Sequence, residues 1–72
     1  MTLADLKVNG QATVDSVTGP RAFIRRLLSL GVSPGSPIRV VRYAPMGDPI
    51  QVEIGRLQLA IRRSEASQVL VR

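Results

Sequence analysis

The side chains of this 72-residue chain that could take part in chemistry are few in kind. Histidine and cysteine are absent, which removes the usual general base, the usual nucleophile pairs and the common transition-metal ligands. No two carboxylates are close in sequence; they belong to Asp5, Asp15, Asp48, Glu53 and Glu65. We therefore expect no enzyme activity, no cofactor and no tight metal site, while weak carboxylate contacts with a metal ion stay open.

The charge balance is basic, with ten Lys and Arg residues against five Asp and Glu residues and a net charge of +5. A basic excess can indicate binding to nucleic acid. The arginines are spread over the chain without a run, however, and the only aromatic residues on which bases could stack are Phe23 and Tyr43. Nucleic-acid binding is therefore the alternative hypothesis, and we expect binding to another protein instead.

Binding to another protein requires only an exposed apolar surface or a sheet edge. Residues 21–30 predict a helix whose apolar side chains share one arc, namely Phe23, Ile24, Leu27, Leu28 and Leu30. All of these can belong to the core, or the edge of the arc at Leu27 or Leu28 can stay exposed as a contact. The opposite arc carries Arg25 and Arg26.

Met46 lies in a proline-bounded loop, residues 44–49. A flexible thioether at a loop tip can form an adaptable contact with a partner, or it can close one end of a barrel. Our candidate partner contacts are accordingly Arg25, Arg26, Leu27, Leu28 and Met46.

Glycine and proline divide the chain into short segments, which is typical of a protein with several short strands. Strands are predicted for residues 11–18, 37–43, 50–54, 57–61 and 68–71. In the first strand, Val14 and Val17 are three residues apart, which breaks the alternation and predicts a bulge or an early end.

The helix of residues 21–30 is expected to begin at a cap formed by Thr18 or Gly19 and to end at Gly31. A type II turn is predicted directly after it, at residues 33–36, because proline and glycine occupy its two central positions. One short helical turn is predicted at residues 64–67.

Gly55 and Arg56 separate two strictly alternating segments, which predicts a hairpin with a two-residue type II′ turn. Such a turn pairs apolar residues with one another on one face: Ile54 with Leu57, Val52 with Leu59, and Ile50 with Ile61. A slip of one residue would destroy this match, so the register follows from the sequence.

These elements predict a mainly β fold, with about five short antiparallel strands and one α-helix inserted after the first strand. Curling of the sheet into a small barrel would remove most of its exposed edges. We expect one domain over residues 1–72. No apolar run approaches the roughly 20 residues of a membrane helix, and the first ten residues do not resemble a secretion signal, so we expect a soluble, cytoplasmic protein.

Two segments resemble signatures of the FeoA family, the small cytoplasmic accessory proteins of bacterial ferrous iron transport. The first runs from Leu27 to Gly35 (LLSLGVSPG) and the second from Ala44 to Ile50 (APMGDPI). The opening from Leu3 to Gly10, the hairpin and the closing segments also agree with the family in order and spacing.

This resemblance implies an SH3-like barrel and a non-catalytic role beside FeoB, the membrane permease with a cytoplasmic GTP-binding domain. Docking on FeoB in support of Fe²⁺ uptake is the function that the resemblance implies. The same barrel forms a C-terminal domain of iron-dependent repressors, but we do not expect a complete repressor, because these 72 residues include no DNA-binding helix-turn-helix. The family brings no settled metal site, and a third hypothesis, a bare iron sensor, has only scattered carboxylates to support it.

Overall fold

The secondary structure follows the predicted order closely in the computed structural model, which describes residues 1–72. A short 3-10 turn, Leu3–Asp5, comes first. The strands are β1 (Gln11–Val17), β2 (Pro37–Tyr43), β3 (Ile50–Ile54), β4 (Leu57–Ile61) and β5 (Val69–Val71). The helices are α1 (Arg21–Ser29) and α2 (Arg63–Ala66). The predicted bounds of β2, β3 and β4 are confirmed, and those of the other elements are shifted or shortened by one residue.

All five strands form one antiparallel sheet in the order β4-β3-β2-β1-β5. Strand β1 pairs with β2 through its first half and with β5 through its second half. The register shifts between Val14 and Ser16, which confirms the bulge predicted from the valine spacing. A bulge increases the local bend and twist of a strand, so it allows β1 to serve two neighbours and lets the sheet curl.

The β3–β4 hairpin has the predicted register, with Ile54 opposite Leu57 and Ile50 opposite Ile61. Gly55 has a φ of 60° while Arg56 has no positive φ, as the predicted type II′ turn requires. On the outer face of the sheet, the Gln51 side-chain amide donates to the side-chain oxygen Oε1 of Gln58 over 2.7 Å.

Helix α1 ends at a Schellman motif. The Val32 N–H donates to the Leu27 carbonyl over 2.9 Å, and the Gly31 N–H donates to the Leu28 carbonyl over 3.1 Å. Gly31 has a φ of 96°, a left-handed conformation that glycine adopts without a Cβ clash. The prediction of a stop at Gly31 is therefore confirmed.

The predicted start of α1 is wrong in its details. The cap position is Pro20, which provides no side-chain hydrogen bond. The Thr18 hydroxyl instead donates to the side-chain oxygen of Gln68 over 2.6 Å, and the Gln68 backbone carbonyl lies 3.1 Å from the same hydroxyl. The threonine thus ties the end of β1 to the segment before β5 instead of capping α1.

The core is entirely apolar and lies inside the curled sheet, under α1 and the 3-10 turn. Its 13 buried residues are Leu3, Val14, Leu27, Val32, Ile38, Val40, Ile50, Val52, Ile54, Ile61, Ala66, Val69 and Val71. No helix is both long enough and apolar enough to cross a membrane.

Candidate functional site

The apolar arc of α1 divides into a buried part and an exposed part. Leu27 is 1% exposed and belongs to the core, so our expectation that it touches a partner is corrected. Leu28 is 45% exposed and Leu30 is 36% exposed. Leu27 is the one buried residue of α1, and Phe23, one turn earlier, is only partly buried against the core.

The two arginines predicted as contacts both lie on the surface of α1. Arg26 is held in place, because its guanidinium lies 5.7 Å from the centre of the Phe23 ring and 2.8 Å from the Glu65 carboxylate. Arg25 has no ion-pair partner. One of the two is therefore a fixed part of the surface, and the other offers an unpaired positive charge.

Glu65 connects α1 to α2, since it also accepts a hydrogen bond from the Arg62 backbone N–H over 3.1 Å. Desolvation acts to raise the pKa of Glu65, but the hydrogen bonds from the Arg62 backbone and the Arg26 side chain outweigh it and hold the pKa below its ordinary value. The carboxylate is thus ionised at neutral pH and neutralises part of the charge of Arg26.

A groove of about 340 Å³ lies between the C-terminal half of α1 and strand β4. Its apolar lining comes from Leu27 and Leu30 on the helix and from β4 on the other side, and its polar rim comes from Arg26, Arg62 and Glu65. Leu59 of β4 is half-buried at this wall. An apolar cleft with a few charged groups around it is the usual form of a binding site.

Met46 is 92% exposed, so the interpretation of this residue as a plug at one end of the barrel is wrong. Its loop is nevertheless well fixed. The Ala44 N–H donates to the Pro49 carbonyl over 3.0 Å, and the Asp48 carboxylate accepts from the Arg63 N–H, also over 3.0 Å. The loop therefore holds Met46 out into solvent and attaches to the start of α2.

Both aromatic rings are half-buried, and each has an arginine beside it. The Tyr43 hydroxyl donates to the Leu6 carbonyl, and Arg63 lies 5.9 Å from the centre of the Tyr43 ring. Phe23 is half-buried against the core and faces Arg26. The alternative of nucleic-acid binding through base stacking is accordingly not favoured.

Each carboxylate is occupied by contacts within the fold. Asp15 pairs with Arg72 and Glu53 with Arg39. Asp5 accepts from the Thr2 N–H over 2.8 Å, and Asp48 and Glu65 hold the start of α2. No group of three or more acidic residues lies together in a way that could hold a metal ion.

A larger depression, of about 610 Å³, lies over β1 and β2. Its two arginines, Arg39 and Arg72, are each paired with a carboxylate. Nine residues line this depression, and Ala12 and Ile38 are its two hydrophobic residues. The groove beside α1 is therefore the better candidate for binding a partner.

The sequence alone does not mark several residues of this groove as parts of a site. Leu59 and Ile61 were predicted only as part of a hairpin face, and Glu65 only as part of a helical turn. The alternating pattern of β4 contained a usable signal, because it places apolar side chains on the face that α1 covers. The position of β4 at the end of the sheet could not be predicted, because it depends on pairing between segments that are far apart in the sequence.

Comparison with known proteins gives the same family over the whole chain. The model of the FeoA domain matches residues 1–72. The FeoA protein of Chlorobium tepidum is 42% identical, with a TM-score of 0.96 over 100% of this chain and 69% of that one. The zinc complex of FeoA from Stenotrophomonas maltophilia is 38% identical, with a TM-score of 0.88 over 100% of this chain and 89% of that one.

The Stenotrophomonas protein is described as a procaryotic SH3 domain protein and a candidate activating factor of bacterial ferrous iron transport. The predicted SH3-like fold is thereby confirmed. A relative in Porphyromonas gingivalis is a fusion of Fe(2+) transport protein A with the Fe(2+) transporter FeoB, 34% identical over 71 residues. The match takes in 99% of this chain and spans 8% of the length of that relative. With its family model, its fold and its sequence in agreement over the full length described, the chain belongs to the FeoA family.

Proposed function

We propose that this protein binds a FeoB-type ferrous iron transporter and supports Fe²⁺ uptake without catalysing a reaction itself. The observation that carries this proposal is the Porphyromonas relative, in which a domain like this one and the transporter form one polypeptide. Domains that are fused in one protein often work together when they are separate. Fe²⁺ is in this view the cargo of the transporter and is not a ligand of the chain.

The surface of the protein supports a binding role. Leu28 and Leu30, at the C-terminal end of α1, and Met46, in its loop, are large apolar side chains that remain exposed, and side chains of this kind can supply the apolar contacts of an interface. Arg25, on the same helix as Leu28, is exposed and has no ion-pair partner. Leu28, Met46, Arg25 and Arg26 therefore remain our candidate contacts, and Leu30 is added in place of Leu27.

A non-catalytic role agrees with the state of the polar side chains. The five carboxylates are all engaged in hydrogen bonds or ion pairs within the fold, and neither histidine nor cysteine is present. General acid–base chemistry requires a group that is free to exchange a proton with a substrate. We place the protein in the cytoplasm, where the GTP-binding part of a FeoB-type transporter lies.

The proposal is tested by mixing the purified protein with the isolated cytoplasmic part of the FeoB-type transporter, in the apo, GDP and GTP-analogue states. We expect a complex in at least one state and reduced ⁵⁵Fe²⁺ uptake by cells that lack the protein. Absence of a complex in every state, together with normal uptake in the deletion strain, would contradict the proposal.

A further inference from the structure

The two edges of the sheet differ in a way that indicates how a partner binds. Strand β5 is covered on its outer side, since the Val71 N–H donates to the Met1 carbonyl over 3.0 Å and Thr2 forms a bridge with Leu70. Strand β4, at the other end of the sheet, has β3 on one side and no strand on the other. The fold thus leaves one edge available for pairing with another chain.

The backbone groups of β4 alternate in direction. A hairpin with a two-residue turn closes on a hydrogen-bonded pair, so Leu57, Leu59 and Ile61 turn their N–H and C=O groups toward β3. Gln58 and Ala60 turn theirs outward, and neither takes part in a turn, loop or cap hydrogen bond. The free edge therefore presents two residues with unused donors and acceptors.

The edge ends at Arg62, because the backbone of that residue is already occupied. Its N–H donates to Glu65 over 3.1 Å, and its C=O accepts from the Ala66 N–H over 2.8 Å. A segment that pairs with β4 is accordingly short, and it must gain the rest of its binding energy from side chains.

The groove beside α1 lies where those side chains would go. The side chains of Leu59 and Ile61 are on the face of β4 that α1 covers, and they line the groove together with Leu27 and Leu30. Side chains alternate between the two faces of a sheet. Every second side chain of an added strand would therefore lie on the groove side, where Leu30 is exposed. The occupant therefore needs apolar residues at alternate positions.

The positive charge around this edge indicates what kind of segment would bind there. Arg56, at the start of β4, and Arg62, at its end, are exposed and have no ion-pair partner. Glu65 lies near enough to act on the charge of Arg62 but forms no ion pair with it, and no carboxylate of the chain pairs with Arg56. Opposite charges on neighbouring strands stabilise their pairing, which favours an acidic segment.

A second copy of the chain is a poor occupant for the same reason. Two β4 strands that paired antiparallel about Leu59 would place Arg56 of one copy opposite Arg62 of the other. Like charges opposite one another are destabilising, and each copy carries a net charge of +5. The edge is thus better suited to a different protein.

We propose that β4 and the groove beside α1 bind an extended, acidic segment of the transporter as an added strand, with its alternate apolar side chains in the groove. This inference rests on the proposed function. Strand addition of this kind draws affinity from main-chain hydrogen bonds and specificity from alternate side chains.

The direct test is amide hydrogen exchange of the protein, alone and in complex with the isolated cytoplasmic part of the transporter. In the free protein, the amides of Leu57, Leu59 and Ile61 are protected by β3 and provide the internal control. We expect the exchange of the Gln58 and Ala60 amides to slow by about tenfold or more on binding, because both become hydrogen-bonded. A stable complex that leaves both exchange rates unchanged would overturn the strand-addition model and leave the proposed function intact.

Variants test the edge and the groove separately. Ala60→Pro removes an outward N–H without removing a bond to β3, and we expect binding to weaken by about tenfold. If circular dichroism shows that this variant does not fold, Leu30→Ser provides the second test, since Leu30 is exposed in the free protein. Wild-type affinity in folded forms of these variants would overturn the model.

Arg62→Glu and Lys7→Glu form a matched pair, because each lowers the net charge by the same amount. Lys7 is exposed and lies outside the groove. We expect Arg62→Glu to weaken binding by about tenfold and Lys7→Glu to have less than about a threefold effect. Equal effects of the two variants on binding would show that net charge, and not the position of Arg62, controls affinity. That result would overturn the role given to the charge at this edge. Self-association that slows the same amides without the transporter would assign the edge to a second copy. No complex in any nucleotide state, together with normal iron uptake in the deletion strain, would instead overturn the proposed function.

Discussion

The guanidinium of Arg26 and the carboxylate of Glu65, which are 39 residues apart in the chain, meet over 2.8 Å and join α1 to α2 at the rim of the groove. Glu65 also accepts the Arg62 N–H. One side chain thus links α1 to the start of α2, next to the end of β4. The charge state of Glu65 should accordingly control the stability of this corner.

We expect stability to fall as the pH drops below the ordinary value of 4.5 for a glutamate. The folded-state pKa of Glu65 is lowered, so its contribution is fully present above the unfolded pKa and is lost as the pH falls through the folded pKa. Since the ion pair is exposed, the loss should be at most about 1 kcal/mol. Urea unfolding at pH 7 and at pH 3 measures it.

Glu65→Gln provides the control for this pH dependence. The variant should be less stable at pH 7 and should lose less on acidification than the wild type. Some loss should remain, because the Thr2 backbone N–H also lowers the pKa of Asp5. An unchanged difference between pH 7 and pH 3 in Glu65→Gln would show that the Arg26 contact is unimportant.

Leu27 and Leu28 are adjacent leucines with opposite surroundings, which makes them a matched pair. Leu27→Ala should lower the free energy of unfolding by about 2 to 5 kcal/mol, because it leaves a cavity in the core. Leu28→Ala should change it by less than about 1 kcal/mol, since this side chain is largely in solvent already. Chemical denaturation followed by circular dichroism would contradict the assignment if the two variants lost similar stability.

Gly31→Ala should destabilise the protein by about 1 to 2 kcal/mol, because a Cβ is unfavourable in the left-handed conformation of this residue. Gly31→Asn should cost less, since asparagine tolerates that conformation better. Thermal unfolding of the two variants gives the comparison. A larger loss for asparagine would indicate that crowding, and not backbone conformation, limits this position.

Met46→Ala tests the loop as a partner contact without disturbing the fold. The side chain is 92% exposed, so the free energy of unfolding should change by less than about 0.5 kcal/mol. Binding to the transporter's cytoplasmic part should weaken severalfold if the thioether packs against that partner. Isothermal titration with Met46→Ala beside the wild type measures both affinity and enthalpy, and unchanged values would remove Met46 from the contact surface.

The parts of the fold that were predictable are those that depend on neighbouring residues. The β3–β4 register follows from a two-residue turn and strict alternation, and the end of α1 follows from Gly31. Which of Leu27 and Leu28 is buried could not be predicted in this way, because both lie on the same apolar arc. It depends on the direction from which the curled sheet meets the helix.

The candidate site was predictable only in part for a related reason. Arg26 was identified from its position on α1, but its partner Glu65 comes from the other end of the chain. The attachment of Asp48 to Arg63 and the cover that Met1 provides for β5 are likewise long-range contacts. No local pattern contains such contacts, so the free edge at β4 became visible only in the folded sheet.

The contact between Tyr43 and Leu6 has a practical consequence. The chain contains one tyrosine and no tryptophan, so the tyrosine band of its near-ultraviolet absorbance and emission comes from a single phenol. That phenol donates to a backbone carbonyl and lies beside Arg63, at the junction of the Met46 loop and α2. The protein therefore contains a built-in optical reporter for this junction, and loosening of the loop or of α2 can be followed without a label.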